Sequence, residues 1–291
     1  MDTSALAVVI TYGHSVTDLR SALQPAIELQ ADGYPIRAIA IDDASGNAPR
    51  LDEVECFVTP SNSGYCAAVN FVASNLASGE ERIVFINPDA KLDREALRSL
   101  AWPEHVFPII VPRIIAGLSL ENVRSIYTVR HALLQIVAGR LASQSLMDSK
   151  SEDSSFILGA PWIPTGTIAS FSTQFLRQNP LREQMFWIEM SALALDTPGQ
   201  VRVGIDHHTA EHEGHSSSKH ASAIVSASLL NARASFVRQY GSRFQTALLP
   251  GCVASGIALK LLQRRCSPSQ AAKMWSISKG ATSWQSIKAV S

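Results

Sequence analysis

Residues 83–89 read Ile83-Val84-Phe85-Ile86-Asn87-Pro88-Asp89, and this segment decides the predicted fold class. The four apolar residues at its start predict a β-strand that is buried on both faces. Pro88 has no N–H and a fixed φ, so it ends the hydrogen bonding of the strand. We therefore expect Asp89 to project at the carboxyl end of the strand, the edge where open α/β sheets bind ligands. A carboxylate there can hold a divalent cation against phosphate oxygens, although a plain turn aspartate would give the same sequence.

Similar apolar segments precede this strand and alternate with helical patterns. The other predicted strands cover residues 5–11, 36–41 and 55–59. The predicted helices cover residues 16–31, 66–76 and 93–100, with Asp93 as the N-cap of the third. Pro25 is expected to kink or split the first of these helices. The alternation predicts an α/β fold in which a mostly parallel sheet is flanked by helices and joined by right-handed crossovers.

The second half of the chain has a different pattern. Residues 123–146 are predicted to be helical, residues 148–155 to form a polar loop, and residues from 221 onward to be mostly helical. The apolar stretch 246–262 is interrupted by Pro250-Gly251 and contains Lys260. This interruption favours a packed or membrane-surface helix over one that spans a membrane.

Composition excludes some classes of function. The chain has 291 residues, and its 25 Lys and Arg balance its 25 Asp and Glu, giving no net charge. This argues against bulk electrostatic binding of nucleic acid but leaves a local basic patch open. The four cysteines form no CxxC pair, which favours free thiols in a reducing compartment over disulfides or zinc. The N-terminal apolar run is too short for a signal peptide, so we expect a soluble cytoplasmic protein.

Four segments in the first third of the chain occur in the order typical of a known family. They are Val8-Val9-Ile10-Thr11-Tyr12, Ile41-Asp42-Asp43-Ala44-Ser45, Asn62-Ser63-Gly64-Tyr65-Cys66-Ala67-Ala68-Val69-Asn70 and Phe85-Ile86-Asn87-Pro88-Asp89. Together they resemble family 2 glycosyltransferases of the GT-A fold, in particular the rhamnosyltransferase-like branch. That branch resembles this chain in having Asn-Pro-Asp where other members carry Asp-x-Asp. The resemblance spans residues 5–100, with looser similarity to about residue 240.

The resemblance implies a site for a nucleoside-diphosphate sugar at the carboxyl edge of the sheet. Thr11 and Tyr12 would contact the nucleotide base, and Asp42 would accept a hydrogen bond from the base or ribose. Asp89 would bind a divalent cation, Mg or Mn, on the diphosphate. The other implied donor-binding residues are Ser45, Asn62, Gly64, Tyr65, Asn87 and Gly166. Gly64 would let the backbone approach the ligand, whereas Asp42 and Ser45 can alternatively form only an Asx-type turn.

The segment that resembles the family's catalytic-base segment departs from the pattern. Residues 186–192 read Phe-Trp-Ile-Glu-Met-Ser-Ala, so Ala192 stands where the family has a carboxylate, and Ala194 replaces the acid that often follows. Glu189 lies three residues before Ala192, and residues three apart share a helix face. Our hypothesis is that Glu189 is the catalytic base that takes the proton of the acceptor hydroxyl. The alternative is an ordinary glutamate stabilised by the helix dipole.

A histidine-rich run covers residues 206–215. The spacing of His208, His212 and His215 would allow a shared zinc ion on a helix, but Gly214 and the serines after it favour a loop. The resemblance implies instead a loop that closes over the diphosphate, in which His212 contacts the cation or a phosphate. Further on, Arg233 and Arg238 either meet the phosphates of a lipid-linked acceptor or membrane, or form a solvated helix face.

These observations lead to one prediction and two alternatives. We predict an inverting glycosyltransferase in bacterial polysaccharide synthesis that moves a sugar, with rhamnose as a candidate, to a glycan or lipid-linked acceptor. Residues 1–220 would form the GT-A domain, and residues 221–291 a helical region packed on it, with peripheral contact at the inner face of the cell membrane. One alternative is a catalytically silent relative that binds nucleotide sugars or acts as a scaffold. The other is a nucleotidyltransferase, which would also use strand-end carboxylates and a cation.

Overall fold

The computed structural model describes residues 4–43, 45–46, 51–59, 64–116, 119–120, 123–138, 154–159, 162–164, 166–212, 222–263 and 266–279. In chain order the first elements are β1 (Ala5–Thr11), α1 (Val16–Ala31), β2 (Ile36–Asp42), β3 (Glu55–Val58), α2 (Tyr65–Phe71), β4 (Arg82–Ile86), β5 (Ala90–Leu92), α3 (Arg94–Ala101) and β6 (Ile109–Ala116). They are followed by β7 (Ser119–Leu120), β8 (Val123–Ser125), α4 (Val129–Ala138), β9 (Ser155–Ile157), β10 (Trp162–Pro164), β11 (Ile168–Ser172) and α5 (Thr173–Gln178). The last elements are α6 (Glu189–Asp196), β12 (Arg202–His212), α7 (Ser222–Tyr240), α8 (Arg243–Leu262) and α9 (Pro268–Lys279).

A central sheet has the strand order β3-β2-β1-β4-β11-β6-β12-β5. Strands β3, β2, β1 and β4 are mutually parallel, and β12 is parallel to β6. Strand β11 is antiparallel to both β4 and β6, so β4 and β6 point the same way. Six of these eight strands therefore end at one edge, and the predicted α/β class with a mostly parallel sheet is confirmed.

The apolar sequences of β1 and β4 match their position in the middle of the sheet. Alternate side chains of β1 enter two separate hydrophobic clusters, with Leu6 and Val8 on one face and Val9 on the other. Helix α2 contributes to the first cluster, and α1 and α3 contribute to the second. Ile83 and Phe85 of β4 are almost fully buried, and each contributes about 1.5–3 kcal/mol to folding.

The predicted helices of the first third are confirmed, with two differences. Ser15 is the N-cap of helix α1, and its side chain accepts a hydrogen bond from the backbone N–H of Asp18 as part of a capping box. It runs through Pro25 without a break, so the expected split is wrong. The helix predicted over 66–76 is α-helical only to Phe71 and continues as one π-helical turn, Val72–Leu76.

The structure corrects three predictions in the second half. Residues 123–146 do not form one helix, because β8 comes first and pairs with β10 before α4 begins at Val129. Residues 139–153 lie outside the described part of the chain. The predicted polar loop at residues 148–155 falls mostly in that part and stays a prediction. The histidine-rich run is neither helix nor loop as far as His212, because it belongs to strand β12. Helix α8 is continuous through Pro250, whose ring lies on the exposed side.

The C-terminal helices pack on α4 and α6. Side chains of α4, α7, α8 and α9 share a third hydrophobic cluster that includes Phe236 and Val253. Tyr240, at the end of α7, donates hydrogen bonds to the carbonyl oxygen of Ala192 at 3.2 Å and to the Asp196 carboxylate at 3.0 Å. Arg182 donates to the same carboxylate at 2.6 Å. The predicted domain boundary at residue 220 falls outside the described residues and stays a prediction.

Two glycines of α8 allow a direct test of this packing. A Cβ atom at Gly256 would lie 2.1 Å from the backbone oxygen of Ile136, whereas a Cβ at Gly251 would meet nothing within 4 Å. We expect Gly256→Ala to destabilise the protein by about 1–3 kcal/mol because it pushes α8 away from α4. Gly251→Ala should be neutral or stabilise by up to about 1 kcal/mol, because alanine favours the helix. Chemical denaturation measures both changes, and similar loss of stability in the two variants would contradict this packing.

Candidate functional site

Most of the predicted site residues lie along the carboxyl edge of the parallel strands. Thr11 ends β1 and pairs in register with Asp42, which ends β2. The backbone N–H of Asp43 donates to the carbonyl oxygen of Thr11 at 2.9 Å and holds these two strand ends together. Asp89 lies in the turn between β4 and β5, at the same edge. The edge therefore carries several carboxylates in the position where ligands bind α/β sheets.

Asp42 has one carboxylate oxygen in use and one without a partner. Its side chain is 2% exposed, and Oδ2 accepts a hydrogen bond from the backbone N–H of Ser45 at 3.1 Å. The Asx-type turn left open by the sequence therefore forms. The other oxygen, Oδ1, is buried and has no hydrogen-bond partner among the described residues. Since an unpaired buried acceptor costs about 1–3 kcal/mol, this oxygen is suited to a hydrogen-bond donor of a ligand.

Asp43 is a residue whose role the sequence analysis missed. Its Oδ1 accepts from the Thr59 hydroxyl at 2.9 Å, and its Oδ2 accepts from the backbone N–H of Gly64 at 2.8 Å. Gly64 has φ +85°, a conformation that favours glycine. Asp43 thus fixes the start of α2 against the end of β2. Asn62, predicted to bind the donor, lies outside the described residues.

The loop after β1 leaves Tyr12 accessible. The Tyr12 side chain is 39% exposed, so it is not a core residue. Thr11 is buried, and its hydroxyl lies 3.0 Å from Nδ1 of His14. An accessible ring on the residue after Thr11, which pairs with Asp42, is compatible with a contact to a base, which stays a prediction.

Glu189 begins α6 and is buried beside Gly166. A Cβ atom at Gly166 would lie 2.9 Å from Glu189 Oε1, so the missing side chain makes room for the carboxylate. Its other oxygen, Oε2, is buried with no hydrogen-bond partner in the described structure. Burial raises the pKa of Glu189, and backbone N–H groups and the charge of Arg124 only partly oppose this. A buried carboxylate with a raised pKa and an open oxygen has the properties of a general base.

Two residues at the start of α2 lie within the electrostatic influence of Glu189. Burial raises the pKa values of Tyr65 and Cys66, and the charge of Glu189 adds to both shifts. Tyr65, predicted to bind the donor, is therefore near the candidate base. Asp43, at the end of β2, holds Gly64, and Gly64 directly precedes Tyr65. The start of α2 therefore lies between the end of β2 and the candidate base.

The Asn87-Pro88-Asp89 turn is fixed against the turn that contains Gly166. The backbone N–H of Asn87 donates to the carbonyl oxygen of Thr167 at 3.0 Å, and the N–H of Ala90 donates to the carbonyl oxygen of Asn87 at 3.0 Å. The predicted donor-binding residues Asn87 and Gly166 are thereby brought close together, although they are far apart in sequence.

Asp89 and His212, the two predicted metal ligands, are in contact. His212 Nε2 lies 3.3 Å from Asp89 Oδ1, and the two side chains are 19% and 10% exposed. Strand β12 makes this contact because it pairs antiparallel with β5, which sets His212 opposite Ala90. The carboxylate oxygen suits Mg²⁺ or Mn²⁺, whereas an imidazole nitrogen is a ligand more typical of ions such as Zn²⁺. The donor set fits a divalent cation, and its binding stays a prediction.

The rest of the histidine-rich run is separate from this pair. Asp206 accepts hydrogen bonds from the backbone N–H of His208 at 2.9 Å and from the Ser99 hydroxyl, and it lies 2.7 Å from Nδ1 of His208. Asp206, His207 and His208 are close enough to share an ion. The helical pairing of His208 with His212 does not exist, because both lie on a strand, and His215 is outside the described residues.

Two arginines and one strained residue add features that the sequence analysis missed. Arg113 on β6 and Arg124 on β8 each have a buried Nε without a hydrogen-bond partner among the described residues. Trp187 has φ 66°, and among the described residues it is the one non-glycine residue with a positive φ. Its ring is 49% exposed and lies 5.5 Å from that of Phe186. Backbone strain of this kind gathers at functional sites, and here it lies two residues before Glu189.

No family model matches the sequence, and no curated protein matches it. Among solved structures, the chain is similar to S. aureus TarS 1–349, with 11% identity and a TM-score of 0.46 over 99% of this chain and 83% of that one. It is similar to the mannosyltransferase PcManGT from Pyrobaculum calidifontis in complex with GDP-Man and Mn²⁺, with 15% identity and a TM-score of 0.48 over 98% and 85%. GalNAc-T7 with UDP, GalNAc and Mn²⁺ gives 12% identity and a TM-score of 0.49 over 72% and 44%. At these identities and TM-scores, the similarities assign no function to this chain.

Proposed function

We propose that this chain is a GT-A glycosyltransferase that transfers a sugar from a nucleoside-diphosphate donor to an acceptor hydroxyl. The observation that carries the proposal is that three groups lie at the carboxyl edge of the sheet or beside the Gly166 turn next to it. These groups are the open carboxylate oxygen of Asp42, the contact between Asp89 and His212, and the buried Glu189 beside Gly166. A nucleotide, the cation on its diphosphate and a reacting hydroxyl each need a group of one of these three kinds.

The donor would lie along this edge with its nucleoside at β1 and β2. Asp42 Oδ1 would accept a hydrogen bond from the base or ribose, with Tyr12 against the base. Gly64, which has no side chain, would let the backbone approach the nucleotide. Asp89 and His212 would hold a divalent cation, Mg or Mn, which would neutralise the charge that develops on the leaving nucleoside diphosphate.

Glu189 would act as the base of a single inverting displacement. The acceptor hydroxyl gives its proton to the Glu189 carboxylate while its oxygen bonds to the anomeric carbon, and the bond from that carbon to the diphosphate oxygen breaks. The raised pKa of Glu189 makes the carboxylate a stronger proton acceptor than a solvated glutamate. Gly166 would keep the space next to Oε1 open for this exchange.

The finer assignment rests on the sequence resemblance. The Asn87-Pro88-Asp89 turn is similar to that of the rhamnosyltransferase-like branch, so we propose rhamnose as the first sugar to test. The acceptor would be a growing glycan or a lipid-linked glycan in bacterial polysaccharide synthesis. The protein would work in the cytoplasm, with peripheral contact at the inner face of the cell membrane.

Thermal unfolding with a panel of nucleotide sugars, with and without manganese, tests this function. A ligand at one hundred times its Kd stabilises a protein by about 2.7 kcal/mol, which raises Tm by several degrees. We expect one uridine, thymidine or guanosine diphosphate sugar to give such a shift, and the shift to be larger with manganese. A panel without any response would contradict the proposal. Donor binding without transfer or hydrolysis would favour the silent relative, and pyrophosphate release would favour a nucleotidyltransferase.

A further inference from the structure

Helix α8 presents an apolar face to solvent. Leu249, Val253, Gly256 and Ile257 face the rest of the protein. On the opposite side, Phe244 is 71% exposed, Leu248 43% and Leu262 82%. The other exposed positions between Phe244 and Leu262 are small or apolar: Ala247, Pro250, Gly251, Ala254, Ser255, Ala258 and Leu261. We call this surface the α8 stripe.

The α8 stripe runs the length of the helix. Eighteen residues make about five turns, so Phe244 and Leu262 lie on one line along the helix, roughly 27 Å apart. Soluble proteins seldom expose a continuous apolar surface of this length unless it meets a partner. Each side chain along the stripe is uncharged, and only that of Ser255 is polar.

The region that contains α8 also carries a strong positive charge. Residues 221–291 contain nine Lys and Arg and no Asp or Glu, since Glu213 is the last acidic residue of the chain. The first 220 residues hold all 25 acidic residues and only 16 basic ones. The zero net charge of the chain is therefore the sum of a negatively charged N-terminal part and a positively charged C-terminal part. Arg243 begins α8, and in the sequence Arg264-Arg265 come two residues after its last residue, Leu262.

Helix α8 is suited to lie on a membrane rather than cross one. Among the described residues it is the one helix long and apolar enough for a membrane span by length and composition, and only 17% of its most apolar stretch is buried. However, Gly256 is packed so closely on α4 that no side chain fits between them. A helix fixed to the protein along one side can expose only the other side to lipid, as interfacial helices do.

We propose that the α8 stripe is a docking surface for a membrane with anionic lipids. Phe244, Leu248 and Leu262 would enter the boundary between headgroups and acyl chains, and the surrounding Lys and Arg would contact the lipid phosphates. Cationic side chains next to an anionic bilayer are attracted to it, and apolar side chains retain the helix there.

The charge distribution favours lipid over two other partners. A symmetric dimer through the stripe would place two strongly basic regions against each other, which repel. Nucleic acid would match the positive charge, but it gives no reason for an exposed apolar stripe between the basic groups. An anionic bilayer matches both features.

The docking would also orient the proposed site. Tyr240 connects the end of α7 to α6, and α6 begins with Glu189. Phe244 is the second residue of the next helix, α8. A membrane bound at the stripe would therefore be coupled through packed helices to the position of the candidate base.

Vesicle cosedimentation of the full chain, without any nucleotide sugar, tests the docking surface. We expect binding to vesicles of phosphatidylglycerol and phosphatidylcholine and much weaker binding to phosphatidylcholine alone. Raising the salt from about 0.1 M to about 1 M should weaken the binding, because it shortens electrostatic reach from about 10 Å to about 3 Å. The double substitution Phe244→Gln and Leu248→Gln should lower the partition coefficient at least about tenfold, since both side chains lose apolar burial.

Val106→Gln is the matched control, because Val106 is 90% exposed and lies outside α8. It should bind vesicles like the unaltered chain, and all variants should keep their thermal midpoint because the changed side chains are exposed. The proposal is overturned if anionic vesicles are not bound, or if the double variant binds them unchanged. It is also overturned if the double substitution instead abolishes a dimer in size-exclusion chromatography. None of these results depends on transferase activity.

Discussion

Asp89→Asn is expected to lower the transfer rate by about 10²–10³-fold and to abolish the part of donor stabilisation that depends on manganese. Asparagine keeps the size of the side chain and removes its charge, so the change leaves the turn intact but weakens the cation site. In the contact between Asp89 and His212, the carboxylate is the one anionic group, and it would balance the charge of the ion. Loss of one preorganised electrostatic group in an active site has effects of this size.

Asp93→Asn provides the matched control for this variant. Asp93 lies four residues further on and caps α3 by accepting a hydrogen bond from the N–H of Ala96 at 2.7 Å. Asparagine is as good an N-cap as aspartate, so this variant should keep both stability and activity. Thermal shifts measured with and without manganese, together with initial rates, compare the two variants. If the Asp89 variant keeps its manganese response, the cation is held elsewhere.

Glu189→Gln is expected to lower kcat by about 10²–10⁴-fold while leaving the donor affinity within a few fold. Glutamine has the same shape and fills the space beside Gly166, but it cannot take the proton of the acceptor hydroxyl. A change confined to kcat separates a base from a residue that only binds the donor. Glu183→Gln, a change at an exposed position of the preceding segment, is the control and should have no such effect. Unchanged turnover in the Glu189 variant would show that Glu189 is not the catalytic base. Absence of turnover in both proteins would favour the catalytically silent relative that only binds nucleotide sugars.

The same variant makes a prediction about stability. The pKa of Glu189 is raised in the folded protein, so the folded chain keeps this proton to a higher pH than the unfolded chain. Below the ordinary glutamate pKa both states are protonated, and the side chain has no pH-dependent effect. As the pH rises from there to the folded pKa, ionisation increasingly disfavours the folded state. The stability of Glu189→Gln relative to the unaltered chain should therefore increase through this window, as measured by unfolding midpoints at several pH values.

The strands of the first third could be predicted because their signal is local. Buried parallel strands such as β1, β2 and β4 are continuous apolar runs, and the sequence between them has helical spacing. Strand β11 could not be found in this way, because it contains Ser170, whose hydroxyl accepts a hydrogen bond from the buried Arg82. Its strand character depends on β4 and β6 on either side. The short strands β8 and β10 pair with each other in a separate two-stranded sheet. Neither sequence is long enough to predict a strand or to indicate which segment it pairs with.

Only part of the candidate site could be predicted, because some of its residues have a local sequence signal and others depend on the complete fold. Residues at strand ends, such as Asp42 and Asp89, follow apolar runs and could be identified by position. The resemblance supplied His212 and Gly166, and the structure places them beside Asp89 and Glu189 respectively. Arg124 and the strained Trp187 were missed, because burial and backbone angles depend on the complete fold.

The contact of Asp89 with His212 has a consequence for biosynthesis. The aspartate leaves the ribosome long before the histidine, and the two meet only after β12 has been inserted between β6 and β5. A nascent chain that has made only the first half of the sheet therefore lacks the contact on which the proposed ion site depends. The proposed cation could therefore be held by both side chains only after β12 has paired with β5 in this register.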